Sequence, residues 1–376
     1  PEPEEKGYFV MRPRAFLAGV LAAALMLTGC GGAGSTGPTT TLTYGSNDRG
    51  DSLDTATAYV GWSNSRDGIT ETLVDVDQKL NLIPKLATEW KNVDPLTWTF
   101  TLRDDATFTT GAKVTAHDVA FTYNKAKQVG KVEIPNFAEA VATSDRTVQL
   151  RLSAPSSFLP YTVATVGIVA KDGYGPAVAT KPVGSGPWKL ATYIQGQQVI
   201  LERNDSYYGP KAKFAKVTIL MMAVDAGLAA AQAGKVDITC VYPNLSQQQI
   251  PGFSLVSLPT IGYRCLSLPC PAPGAYVVDG QQVGNAFTSD PVVRRAMAAA
   301  VNRQQIIEQC LLGYGEVAFD IFDAFAWGIR KDTASLKDGD VERAKTLLEQ
   351  GGWAPGEGGI RVKNGAKATF TVLYPP

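Results

Sequence analysis

The segment Met11–Cys30, MRPRAFLAGVLAAALMLTGC, constrains this chain more than any other, because it decides where the rest must fold. Arg12 and Arg14 form a cationic head. An apolar run from Ala15 to Met26 follows, and Leu27, Thr28 and Gly29 lead into Cys30. A bilayer span takes about 20 apolar residues, so the run is too short for a transmembrane helix. The layout is that of a secretory signal ending in a lipobox. Cleavage before Cys30 would leave its thiol at a new N-terminus for lipid attachment. Residues 1–10 then read as an upstream extension and 11–29 as the signal peptide. Residues 30–40 read as a tether, since small polar residues bury too little surface to fold. The folded body is expected to start at Thr41 and to lie outside the cytoplasmic membrane, anchored through Cys30.

That body is long enough for two domains. Its 45% hydrophobic and 19% charged residues describe an ordinary globule rather than a disordered chain. The 35 basic residues balance the 35 acidic ones, and no basic patch marks a nucleic-acid partner. Apart from Cys30 the cysteines are Cys240, Cys265, Cys270 and Cys310. In an oxidising compartment Cys265 and Cys270 could pair across LSLP, or all four could stay free.

Hydrophobic periodicity gives a mixed pattern. TLTY (41–44), TWTFTLR (97–103), residues 147–152 and Val217–Met221 alternate as strands, and Val236–Thr239 is strand-like. Thr115 to Lys127 reads as a helix, with Thr115 as cap and Asp118 three residues on completing a capping box. An alanine-rich helix stops at Gly234. Asp290 caps another with Pro291 at its first position. Asn302 opens the next, and Asp340–Gln350 is a further helix stopped by Gly351. ATFTVLY (368–374) reads as a strand. Two α/β lobes account for this order.

The motifs in this order resemble a known family, the peptide- and nickel-type solute-binding proteins of ABC importers (extracellular solute-binding family 5). ETLVDVDQKLNLIPKLATEW (71–90) is similar to its P-x-LA-x-x-W segment. TWTFTLRDDATFTTGAKVTAHDVAFTYNKA (97–126) resembles its strand, Leu-Arg, Gly-turn and T-A-x-D-V signature. PVGSGPWKL (182–190), LERNDSYYG (201–209), AGKVDI (233–238), DPVVRRAMAAAVNRQQII (290–307) and VERAKTLLEQGGW (341–353) match five further patterns in sequence order.

The resemblance implies an α/β two-lobe periplasmic-binding-protein (venus-flytrap) fold. Lobe I would span 41–258, with an extra subdomain at about 68–180, and lobe II 259–376. Because members continue well past this length, the C-terminal part of lobe II is expected to be missing. It also implies a monomeric, non-enzymatic capture component without a cofactor. Its partners would be a membrane permease and cytoplasmic ATPases, and its solutes di- or oligopeptides or chelated metals such as nickel. A solute sensor or chaperone using the same fold without transport is a competing reading.

The chemistry-bearing residues limit the alternatives. His117 is the sole histidine. Sites for bare nickel or zinc draw on several imidazole or thiolate ligands, so no metal site is expected, and His117 reads as structural or exposed. A secreted hydrolase of Ser–His–Asp type would need that same histidine and a G-x-S-x-G elbow, which the chain lacks. GSGP (184–187) has no Walker lysine and reads as a rigid turn. A two-lobe cleft should be lined by aromatics with a few polar anchors. On that ground Asp48, Arg49, Tyr59, Trp62 and Trp327 are the candidate ligand contacts, while Trp98, on a strand, is assigned to the core.

Overall fold

The alternating runs pair into two sheets. They are seen in a computed structural model that describes residues 8–11, 40–47, 52–55, 67–132, 134–258, 262–321 and 337–372. The chain divides into two compact units. One holds Tyr8–Val241 and Gln248–Val256, the other Tyr242–Gln247 and Ser257–Pro376.

In the first unit the strands are β1 (Tyr8–Met11), β2 (Thr41–Ser46), β3 (Val74–Val76), β4 (Leu82–Pro84), β5 (Ala87–Asp94), β6 (Thr97–Leu102), β7 (Phe137–Ser144), β8 (Thr147–Leu152), β9 (Trp188–Ile194), β10 (Gln198–Arg203), β11 (Lys216–Met221), β12 (Ile238–Val241) and β13 (Ser254–Ser257). The main sheet has the order β13-β1-β12-β2-β11-β10-β9. β2 runs parallel to both β11 and β12. Val199 and Leu201 of β10 stand opposite Ile219 and Val217 of β11, and all four are buried. Such same-face pairs are the stabilising unit of a sheet. With Ile69 they form its core. β1 pairs antiparallel with β12, Tyr8 opposite Val241. Nothing in the sequence reading anticipates this strand, because a run of four apolar residues carries no readable period.

The second layer of this unit is the antiparallel sheet β5-β6-β8-β7, covered by helix α1 (Ala116–Val129). Phe100 faces Val148 across β6 and β8. Val119, Tyr123 and Ala126 share the inward face of α1, and the sheet and helix pack into one core. Trp98 packs against that core and donates its indole N–H to the Ser156 carbonyl at 3.1 Å. The start of α1 is as read. The Asp118 carboxylate accepts from the Thr115 N–H at 2.9 Å and from its hydroxyl at 2.7 Å. Gly130, at φ +71°, ends the helix in the left-handed region. Short α2 (Leu159–Val163) closes this layer, and α3 (Val224–Gln232) packs on β12 and β2.

The second unit is mainly helical: α4 (Pro291–Ala300), α5 (Arg303–Cys310) and α6 (Val341–Gln350). Asp290, Asn302 and Asp340 each accept a backbone N–H at the helix start. Phe287, Val293 and Trp353 form its core. The strand read over ATFTVLY is not formed in its described part, residues 368–372. A strand exists only through a ladder, and among the described residues no neighbouring strand is there to pair with it. Phe370 instead stacks on Phe287 at 5.7 Å.

Candidate functional site

Cys30, Asp48, Arg49, Tyr59, Trp62 and Trp327 lie outside the described residues. What the fold does bring together is a polar centre that the sequence reading passed over, around Glu71. Ile69 belongs to the main-sheet core and Leu73 to the four-stranded layer. The chain therefore crosses from one layer to the other at Glu71, and returns through Pro182–Trp188.

The two crossings lie side by side. Gly186 N donates to the Ile69 carbonyl at 3.1 Å, and Trp188 N to that of Gly68 at 3.1 Å. The fit explains the glycines of GSGP. A Cβ on Gly184 would stand 1.9 Å from the Ile69 oxygen, and one on Gly186 would stand 2.0 Å from the Gly68 oxygen. Asn204, in the LERNDSYYG motif, clips the return strand through its side-chain amide to the Gly186 carbonyl at 2.9 Å.

Glu71 is 1% exposed. Its Oε1 accepts hydrogen bonds from the hydroxyls of Tyr207 at 2.8 Å and Tyr208 at 2.6 Å, and its Oε2 from Ser185 at 2.9 Å. Lys85 Nζ stands 3.8 Å away. The Arg103 guanidinium lies 3.5 Å over the Tyr208 ring and is itself held by Asp105. Burial pushes the Glu71 carboxyl above its ordinary range, by more than the bonds from Tyr208, Tyr207 and Ser185 and the charge of Lys85 pull it down. Burial and the neighbouring carboxylate push the Tyr207 and Tyr208 hydroxyls far up, so both stay protonated as donors. The arrangement is a clasp. Ser185 is fully buried and its proton is committed to Glu71, so it cannot meet a reacting group. One signal for this centre is present in the sequence: a carboxylate inside GITETLV, an otherwise apolar and hydroxylic run.

Tyr174 donates to Asp54 at 3.0 Å, and its hydroxyl is pushed up to about 12 by burial and then by that carboxylate. Thr55 and Thr70 are buried, each with an Oγ1 that finds no hydrogen-bond partner among the described residues. His117 is 57% exposed, its Nε2 3.7 Å from Asp145. Cys240 is buried, and Cys265, Cys270 and Cys310 are exposed free thiols. Among the described residues no group of three or more His, Cys, Asp or Glu is placed to hold a metal ion. Among the same residues no helix is long and apolar enough to cross a membrane.

The family model for bacterial extracellular solute-binding proteins, family 5 Middle, matches residues 81–376. The chain belongs to this family. Its members are extracytoplasmic, non-enzymatic transport components. Protein XP55 of Streptomyces lividans is 30% identical over 96% of this chain and 66% of its own length. The oligopeptide-binding protein AppA of Bacillus subtilis is 26% identical over 95% of this chain and 69% of its own. Among solved structures, NikZ from Campylobacter jejuni in complex with Ni(L-His) superposes with a TM-score of 0.67 at 21% identity, over 88% of this chain and 66% of that one. The chain thus spans about two-thirds of the length of these relatives. The fold is the α/β two-lobe type read from the motifs.

Proposed function

We propose that this chain is the solute-capturing component of an ABC importer, held outside the cytoplasmic membrane by a lipid on Cys30. It takes up an oligopeptide or a chelated metal such as nickel and passes it to a membrane permease driven by cytoplasmic ATPases. The observation that carries this reading is the family match over residues 81–376. One relative is named for oligopeptides, and one solved neighbour is named in complex with Ni(L-His). The one histidine of the chain argues for a metal that arrives already coordinated, because a bare Ni²⁺ site needs several nitrogen or sulfur donors together. Asp48, Arg49, Tyr59, Trp62 and Trp327 are the proposed solute contacts.

Mass spectrometry of what co-purifies with the full-length protein tests the reading. A peptide or a chelated metal is the expected finding. Calorimetry with Ni²⁺, alone and with L-histidine, then separates the metal cases. Tight binding of bare Ni²⁺ would overturn the chelate reading. Loss of uptake of the identified solute when the chain is deleted distinguishes transport from sensing.

A further inference from the structure

The four-stranded layer carries a groove of about 520 Å³ between α1 and the edge of β7. One wall is a single face of α1, where His117, Phe121, Asn124, Lys125 and Gln128 recur at helical spacing. The edge of β7 at 140–142 and Lys171 complete it. β7 is an edge strand, yet it is closed to strand addition at Ala138–Ala140. The Asn124 amide donates to the Ala140 carbonyl at 2.8 Å and accepts from its N–H at 2.9 Å, and the Lys127 ammonium donates to the Ala138 carbonyl. An extended peptide therefore finds no free ladder there.

What the groove offers instead is positive charge. Among the described residues no carboxylate lies within ion-pair distance of Lys125 or Lys171. Lys125 donates to Gln128 at 3.1 Å, and its ammonium lies 5.9 Å over the Tyr174 ring. Three of the acids nearby are engaged elsewhere. Asp118 is taken by Thr115 and by the Lys171 backbone N–H, Glu139 by Arg151, and Asp54 by the Tyr174 hydroxyl. Asp145 stands 3.7 Å from the His117 Nε2, and Asp172, next to Lys171 in the chain, is exposed. The groove lacks arginine, whose planar fork would hold a carboxylate or a phosphate bidentately. Lysines act as point charges that suit a phosphate. The volume falls in the range of small-molecule sites, about 300–1,000 Å³.

We propose that this groove binds a phosphate-bearing ligand, with Lys125 and Lys171 supplying the charge and His117 lining the site. Two sources share this chemistry, a soluble phosphate ester and the headgroup of an anionic phospholipid. His117 makes the test direct. As the sole histidine of the chain it gives one imidazole C–H resonance, so proton NMR of the untagged full chain reads the groove alone. Titration with inorganic phosphate and with glycerol 3-phosphate, at fixed pH and against sodium chloride of equal ionic strength, should shift that resonance saturably at millimolar ligand. The double variant Lys125→Gln, Lys171→Gln should bind at least about tenfold more weakly with an unchanged thermal midpoint. Co-sedimentation with phosphatidylglycerol vesicles but not phosphatidylcholine vesicles, lost in the double variant, would identify the lipid as the source. Saturation by glycerol 3-phosphate without vesicle binding would identify a soluble ester. If no probe gives a saturable shift or vesicle binding, or if the response survives in the double variant, the proposal is wrong.

Discussion

Replacing Glu71 by alanine should destabilise the sheet-bearing unit by about 3–5 kcal/mol, the usual cost of removing one partner from a buried charged network. The magnitude can be built from the contacts. Ser185 is fully buried and would lose its acceptor, which costs about 1–3 kcal/mol for an unsatisfied buried hydroxyl. Tyr207 and Tyr208 are half-buried and recover part of their bonding from water, so each adds about 0.5–1.5 kcal/mol. The Lys85 contact, with a side chain 31% exposed, adds about 1 kcal/mol or less. Against these stands relief from burying a carboxylate, which brings the sum back into the stated range. Glu71→Gln separates the parts. The amide removes the charge, keeps an acceptor oxygen for the tyrosines, and turns an N–H₂ toward Ser185, whose oxygen can accept. Its cost should be about 1–2 kcal/mol. For a unit of this size, about 2–4 °C per kcal/mol turns the alanine variant's loss into a drop of about 6–20 °C in thermal midpoint. Scanning calorimetry of the full chain reads the drop. Peptide-level hydrogen exchange should show the loss of protection centred on 68–72 and 182–208. An alanine variant within about 1 kcal/mol of wild type, or a glutamine variant as damaged as the alanine one, would refute the clasp.

Other consequences are simpler to state. The raised Glu71 carboxyl adds stability below its ordinary value near 4.5, and that stability is lost as pH rises through the higher folded value; the difference between wild type and Glu71→Gln in denaturant titrations should therefore change across that window and be flat outside it. Gly184→Ala drives a Cβ into the Ile69 carbonyl and should cost about 3 kcal/mol or more by chemical denaturation, since backbone rather than a flexible side chain stands in the way. Trp353 is 1% exposed, stacks edge-on against Phe287 and donates to Asp290, so Trp353→Ala should cost about 3–5 kcal/mol and open residues 257–376 to limited proteolysis first. Cys30→Ser should release the protein from membranes of its native host; retention on the membrane, with no lipid on the wild type, would rule out the anchor.

Helix starts were the most legible features of the fold. Thr115 with Asp118, Asp290 with Pro291, Asn302 and Asp340 all cap where their residue types require, because capping is decided within one turn of chain. β6, β8 and β11 were legible for a similar reason, each having one face in a core and the period that goes with it. The strand assigned to ATFTVLY failed because its alternation is a local property while its ladder is not. One missed element did carry a local signal: Asn364–Gly365, at φ +51° and +79°, turns a two-residue hairpin between Val362–Lys363 and Ala366–Lys367. The Glu71 centre was harder to read. Its five residues come from positions 71, 85, 185, 207 and 208, and no short window of sequence contains more than two of them.

The placement of that centre bears on what the family motifs record. ETLV supplies the carboxylate, GSGP the buried hydroxyl and the close glycine approach, LERNDSYYG the two tyrosines and the asparagine clip, and TWTFTLRDD the arginine over Tyr208. Four motifs that look independent along the chain thus converge on the two crossings between the main sheet and the four-stranded layer. Their spacing is dictated by burial: a carboxylate taken out of water must find donors for both oxygens, and only residues fixed on both layers can supply them at 2.6–2.9 Å. These motifs therefore specify a frame and leave the solute open. That accounts for how strongly they indicate the family and how little they indicate the cargo, whose relatives are named for a peptide in one case and a nickel complex in another. Specificity must then rest on residues free of this packing duty, as Asp48, Arg49, Tyr59, Trp62 and Trp327 are proposed to be. Substituting them should change which solute binds while the thermal midpoint holds, and substituting Glu71 or Gly184 should lower the midpoint for every solute alike.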